Sequence, residues 1–233
     1  MKYFIREKSE DFLYVQLCPF FFGGDGKAIK EPDCSKLSIV IPALNEEVFL
    51  KRCIYSILSQ DIATEIVVVD GGSDDSTKKV AESFKEVRLI ESAPGRGIQI
   101  AKGVECAGGD TIIVLHADCV LKSGVLQRIC TALEQNPQAE GGACGMTYET
   151  KDFIVNTAVM IHNFKTRFTG IAFGDQAQFF RAGALQDGFP RLALMEDVEL
   201  SLMLMKKGKC LFIRDGVVAS MRQWQESGRI VYG

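Results

Sequence analysis

Tryptophan occurs once among the 233 residues, histidine twice and proline six times. With so few histidines, and with none of the eight cysteines in a CxxC pair, a closely spaced zinc site is excluded. The cysteines (Cys18, Cys34, Cys53, Cys106, Cys119, Cys130, Cys144, Cys210) are scattered, several in apolar stretches. They read as buried reduced thiols of an intracellular, cytoplasmic protein. A basic excess is also lacking. The 27 Lys and Arg against 30 Asp and Glu leave a net charge of −3, which argues against a nucleic-acid binder. An anionic substrate then needs local positive groups or a metal.

No apolar run reaches the roughly 20 residues that cross a bilayer as a helix. The segment Phe12–Phe22 is hydrophobic but short, and Pro19 breaks it. Acidic residues precede it, so it reads as a strand or packed arm rather than a secretory signal, with peripheral membrane contact as the lesser reading. No GxxxxGK[ST] phosphate loop, internal repeat or low-complexity tract occurs.

A hydrophobic fraction of 47% and a charged fraction of 24% are those of an ordinary globule. Residues 1–36 read as an N-terminal arm and linker ending in a glycine-rich patch, and residues 37–233 as one domain. From Leu37 strands and helices alternate. Strands are expected over 37–41, 66–69, 87–90, 111–115, 177–180 and 209–213. The first helix follows Pro42, with Asn45 as its cap and Glu46 and Glu47 in its first turn. Ser73 is expected to cap a helix running to Phe84, and Ser123 one over about 122–134. Further helices are expected after Pro94-Gly95 and over 198–207, with a Gly141-Gly142 break and a mixed segment between. Such alternation predicts an α/β fold, a mostly parallel central sheet with helices on both faces.

Carboxylates cluster where such sheets bind ligands, at the carboxyl ends of strands. Asp70 ends Ile66–Val69, and Gly71-Gly72-Ser73 then turns the chain closely. A carboxylate there can accept from a base N–H or a ribose hydroxyl. Asp118 follows the apolar run Thr111–Leu115, where one carboxylate together with substrate phosphates suffices to hold magnesium or manganese. His116, two residues earlier on an extended chain, points to the same side and can ligate manganese, bond to phosphate or serve structure alone. Glu196-Asp197 follows Leu192-Ala193-Leu194-Met195. The pair is either a set of helix-dipole partners or the general base for an attacking hydroxyl.

The order of Pro42–Glu46, the Asp70 loop, His116-Ala117-Asp118 and Glu196-Asp197 resembles the family 2 glycosyltransferases of GT-A fold, from about Leu37 to Trp224. It is similar to a subgroup with "DGGSxDxT", "GRG", "HAD" and "GDQ" motifs, here Asp70–Thr77, Gly95–Gly97, His116–Asp118 and Gly174–Gln176. The resemblance implies a nucleotide-diphospho-sugar donor such as a UDP-sugar, a hydroxyl acceptor, Mn2+ or Mg2+, and inversion at the anomeric carbon. By it, Pro42, Asn45, Glu46, Asp70, Gly72, Ser73 and Arg96 border the nucleotide. Asp118, with His116, holds the metal. Asp175 and Gln176 lie near the sugar or acceptor, Asp197 beside Glu196 is the base, and Trp224 closes over the site. Relatives continue with further helix after the tryptophan, so the acceptor side is expected to be shortened. The competing readings are a non-catalytic nucleotide-sugar or glycan-binding relative and, less favoured, a sugar-phosphate nucleotidyltransferase.

Overall fold

In the computed structural model the described residues are 36–185, 188–190, 192 and 194–222. Trp224 and nearly all of the expected arm lie outside them. The elements run β1 (Leu37–Ala43), α1 (Leu50–Leu58), β2 (Thr64–Asp70), α2 (Thr77–Glu82), β3 (Val87–Glu91), α3 (Arg96–Cys106) and β4 (Thr111–Val114). Then come β5 (Val120–Leu121), α4 (Val125–Gln135), β6 (Ala139–Tyr148), α5 (Phe153–Thr169), β7 (Phe179–Arg181), α6 (Glu196–Lys207) and β8 (Lys209–Ala219). The eight strands form one sheet in the order β3-β2-β1-β4-β7-β6-β8-β5. The first four are mutually parallel, and β6 and β8 are parallel as well. β7 and β5 pair antiparallel with their neighbours.

The near-continuous apolar strands are those of a sheet covered on both faces. Side chains alternate between faces with a period of two. Ile39, Ile41, Ile66, Val68 and Ile113 enter one core with Leu50, Cys53, Ile54 and Ile57 of α1 and Val125, Leu126 and Ile129 of α4. Val40, Val67, Val69, Ile112 and Val114 enter the other with Ile100 and Ala101 of α3 and Leu200 and Leu204 of α6. The chain thus winds outward through β1, β2 and β3 on one face, crosses by α3 on the other, and re-enters beside β1 as β4. Strand order reverses between β1 and β4, and a crevice opens at their carboxyl ends.

Several expectations are corrected. Gly141 and Gly142 lie inside the buried strand β6, not at a break. A Cβ at Gly142 would overlap the Leu211 carbonyl of β8 and one at Gly141 the Phe179 carbonyl of β7, so these glycines permit close strand approach. The mixed segment holds the 17-residue helix α5, capped by Asp152, whose side chain accepts from the N–H groups of Ile154 and Val155. Asn45, Ser73 and Ser123 cap no helix. Asn45 is left-handed at φ 56, α1 has Phe49 at its cap position, α2 has Ser76 and α4 has Gly124. Cys53, Cys106, Cys119, Cys144 and Cys210 are free, whereas Cys130 is disulfide-bonded, contrary to the all-thiol reading. No helix among the described residues is long and apolar enough to cross a membrane.

Gly142→Ala is expected to lower stability by about 1–3 kcal/mol or more, because rigid backbone cannot yield to the new methyl. Gly183→Ala, with nothing within 4 Å of its added Cβ, is expected to be near neutral. Urea unfolding midpoints check both, and equal midpoints for the two variants would contradict the packing described for β6.

Candidate functional site

The crevice has two walls. The first is built from the ends of β1 and β2. The buried amide of Gln99 on α3 donates to the carbonyls of Ala43 (2.8 Å) and Val69 (2.9 Å), clasping the two strand ends. A Cβ at Gly71 would stand 2.9 Å from this amide, so the glycine lets the turn lie on it. Asp70 is wholly buried, and its Oδ2 accepts from Gly72 N (2.9 Å) and Ser73 N (3.0 Å), with Lys78 Nζ at 3.7 Å. Its Oδ1 is buried without a partner among the described residues.

Reciprocal bonds lace the loop after Asp70 to the loop after β1. Ser73 Oγ, Thr77 Oγ1 and Asp75 Oδ2 accept from the backbone N–H groups of Asn45, Glu46 and Glu47. Asn45 Oδ1 and Glu47 Oε2 accept in return from Asp74 N and Ser76 N. This is why Asn45 and Ser73 are not caps: each spends its polar side chain across the wall. Gly72, at φ 92, has open space where a side chain would stand, and Pro42 is buried at the end of β1.

The second wall gathers the end of β4, the single turn Gly174–Gln176 and the start of α6. Beyond Val114 the chain does not stay extended. Cys119 N donates to the His116 carbonyl (3.0 Å), so the chain turns between His116 and Asp118, and the alternation of an extended strand on which the sequence reading placed them does not apply. The His116 ring packs on Gly174, where a Cβ would overlap it. Burial, and then the Arg96 charge, lower its pKa from 6.5 to about 4, so the ring is neutral near neutral pH. Asp197, also buried, accepts through Oδ2 from Gly174 N (2.8 Å) and through Oδ1 from Val198 N (2.8 Å). Met195, at φ 64, turns the chain so that Glu196 and Asp197 open α6, and Leu194 and Met195 are exposed rather than part of a strand.

Arg96 donates through Nε to Glu196 Oε1, while Glu196 Oε2 is buried without a partner among the described residues. Burial opposes the guanidinium charge, but the bond and charge of Glu196 hold its pKa above the ordinary value. Gln176, expected near the sugar, is wholly buried instead. Its Oε1 accepts from Thr166 Oγ1 (2.9 Å) and Phe173 N (3.1 Å), so it braces the turn from behind. Asp175 stands in that turn, its Oδ1 buried and without a partner among the described residues. Burial first, then Asp118 and Asp197, raise its pKa, and His162 opposes them.

Arg222 joins the walls. Its Nη1 and Nη2 bond both Glu46 oxygens (3.0 and 2.7 Å), and Nη2 lies 3.6 Å from Asp118 Oδ2. Burial raises the Glu46 pKa, and Arg222 opposes the shift. The structure therefore brings together Asp118, Asp175, Glu196, Asp197, Arg96 and His116, and links them through Arg222 and Glu46 to the Asp70 wall. The sequence reading missed Gln99, Lys78 and Thr166, and it held Thr77 only as the last residue of the "DGGSxDxT" motif, with no bracing role.

The chain carries a match to the family described as Glycosyl transferase family 2 over residues 38–192. It is 32% identical over 123 residues to the uncharacterized glycosyltransferase EpsJ of Bacillus subtilis (strain 168), covering 50% of this chain and 35% of that protein. It is 27% identical over 159 residues to the undecaprenyl-phosphate 4-deoxy-4-formamido-L-arabinose transferase of Proteus mirabilis (strain HI4320), covering 64% of this chain and 48% of that one. The chain thus spans less than half the length of either relative. Among solved structures, S. aureus TarS 1-349 in complex with UDP-GlcNAc superposes with TM-score 0.63 at 18% identity, over 79% of this chain and 58% of that one. The mannosyltransferase PcManGT from Pyrobaculum calidifontis, in complex with GDP-Man and Mn2+, gives 0.61 at 21%, over 77% and 55%. These likenesses show the fold to be GT-A, as the resemblance implies, and the α/β layering is that of the alternating pattern.

Because its folded-state pKa is raised above 3.8, Asp175 contributes stability only while protonated. That contribution is complete below 3.8 and is lost as the pH rises through the folded-state value. Asp175→Asn is therefore expected to raise Tm near neutral pH, by a margin that narrows as the pH falls towards 3.8. Scanning calorimetry across that range checks this, and a lower Tm for the variant at neutral pH would contradict it.

Proposed function

The chain belongs to glycosyl transferase family 2, and from that premise we propose that it moves a sugar from a nucleotide-diphospho-sugar to a hydroxyl acceptor with inversion. The observation that carries this reading is a set of three buried carboxylate oxygens, on Asp70, Asp175 and Glu196, that no donor among the described residues satisfies. Leaving such acceptors unpaired costs about 1–3 kcal/mol each, and a polyhydroxylated ligand supplies the missing donors. The complexes of TarS with UDP-GlcNAc and of PcManGT with GDP-Man support this ligand class.

In this reading Asp70 Oδ1 accepts from the base or ribose. Pro42, Asn45, Glu46, Gly72 and Ser73 border the rings, with the open side of Gly72 leaving them room. Arg96, charged and anchored by Glu196, faces the diphosphate. Among the described residues no group of three or more His, Cys, Asp and Glu could hold a metal ion unaided. Asp118 nevertheless fits Mn2+ or Mg2+, because one carboxylate plus the donor's phosphate oxygens is a donor set these ions accept. His116 is neutral, the state a second ligand needs. Such an ion, when bound, offsets charge on the departing nucleoside diphosphate. Arg222, between Glu46 and Asp118, positions both walls around that charge.

The transfer is a single displacement. The acceptor oxygen bonds to the anomeric carbon as the bond from that carbon to the diphosphate breaks, and the hydroxyl proton passes to Asp197. The N–H groups of Gly174 and Val198 fix the orientation of this carboxylate. Asp175, in the same turn as Gly174, faces the sugar or acceptor, and Gln176 supports it from within. Residues 37–233 form the transferase domain, of the subgroup with the "HAD" and "GDQ" motifs.

Nucleoside diphosphate release from a panel of nucleotide-sugars with Mn2+ tests the reading. Asp197→Asn is expected to lower kcat by about a hundredfold or more while donor-induced thermal stabilisation persists. Asp118→Asn is expected to abolish both turnover and the Mn2+-dependent part of that stabilisation. Donor stabilisation without turnover in the unsubstituted chain would favour the binding-only relative. Undiminished turnover in Asp197→Asn would remove that residue as the base.

A further inference from the structure

Helix α5 carries an apolar face that nothing among the described residues covers. Its inner face packs through Val155, Val159 and Thr166, and Asn163 pins it to β6 by exchanging bonds with Met146 N (3.0 Å) and Met146 O (2.8 Å). The opposite face presents Phe153, Ile154, Met160, Ile161, Phe164 and Phe168, each between 59% and 82% exposed. At about 3.6 residues per turn these six fall on one continuous stripe. Thr157 is the one polar residue within it. Phe164 and Phe168 stack on each other at 4.2 Å. A monomer in water rarely leaves so many large apolar groups contiguous.

The rim of the stripe is cationic. Arg167 stands on one flank and Lys165 on the other, where its Nζ lies 5.8 Å from the Phe173 ring. On the Arg167 flank a cavity of about 910 Å³ opens between α5, α4 and the ends of β6 and β8, and Arg128 and Arg214 line it. Arg128 donates to the carbonyls of Arg214 and Asp215, so its charge is kept. Among the described residues, Asp215 pairs with Lys122, and Asp152 caps the helix. From Phe153 to Thr169 there is no acidic residue.

We propose that α5 is a docking surface for an anionic phospholipid bilayer, lying in the plane of the interface with its phenylalanines in the acyl boundary. An apolar stripe with aromatic side chains, flanked by Lys and Arg and free of acids, is the chemistry of an interfacial helix. Seventeen residues rise about 25 Å, which suits a helix lying along a membrane rather than across it. Charge selects this occupant over a second copy of the chain. A two-fold contact through the same face would offer Lys165 and Arg167 no carboxylate from the facing helix, since α5 has none from Phe153 to Thr169. The stripe lies on the side of α5 opposite Thr166, which braces the crevice from the inner face, so the proposal stands or falls independently of the transferase reading.

Co-sedimentation of the full chain with vesicles tests it. Sedimentation with phosphatidylglycerol–phosphatidylcholine vesicles is expected, with little on pure phosphatidylcholine, and weakening as salt is raised. Phe164→Ser with Phe168→Ser is expected to weaken binding roughly tenfold or more. Lys165→Glu and Arg167→Glu should each weaken it roughly fivefold or more. Phe164, Lys165 and Phe168 are exposed and Arg167 is half-buried, and an unchanged circular dichroism melt confirms intact folding. Absence of sedimentation with either vesicle, or undiminished binding by the phenylalanine variants, would overturn the proposal. So would a dimer that these variants convert to monomer with vesicle binding unaltered, since the face would then belong to a second copy.

Discussion

Everything in the candidate site depends on the reversal of strand order between β1 and β4. Because α1 and α2 pack on one face of the sheet and α3 on the other, the loops leaving β1, β2 and β4 diverge instead of covering one another. Their backbone groups and carboxylates then surround an open crevice. Gln99 holds that opening by tying Ala43 and Val69 together, so the Asp70 loop and the Asn45 loop keep the spacing at which they can exchange bonds. The opposite wall hangs on a second set of ties, in which Asp197 grips Gly174 and Gln176 is buried behind. Arg222 spans the two.

The cluster is costly to assemble. Asp118, Asp175, Glu196 and Asp197 are drawn together with few cations among them, and burial raises the pKa of Asp175 and Glu46. Such strain is offset by packing elsewhere and persists where function uses it. It also explains the local rule-breaking at the site, where Asn45, Met195 and Ala177 all adopt positive φ.

The strands flanking the crevice were legible in the sequence because burial on both faces writes them as plain apolar runs, as in Ile66–Val69 and Thr111–Leu115. The acidic residues at their ends were legible for the same reason: a carboxylate that stops such a run has few structural excuses. What sequence could not show was how side chains are spent. Asn45 and Ser73 have the composition of helix caps, yet tertiary bonds across the wall claim both. Gly141-Gly142 has the composition of a break, but close contact with β7 and β8 makes glycine necessary inside a strand. Helix α5 escaped notice because its apolar residues occupy the outer face as well as the inner one, which flattens the period by which helices are recognised. The feature that hid the helix is the one that marks it as a surface for something apolar.

The central claim is that strand ends far apart in sequence form a single nucleotide-sugar cleft. Hydrogen exchange of the full chain, with and without UDP or GDP and Mn2+, measures this directly. The account predicts that the backbone amides of residues 43–47, 70–77 and 114–119 gain protection together, at one ligand concentration. Protection confined to one of these segments, or appearing only on surfaces remote from all three, would contradict it.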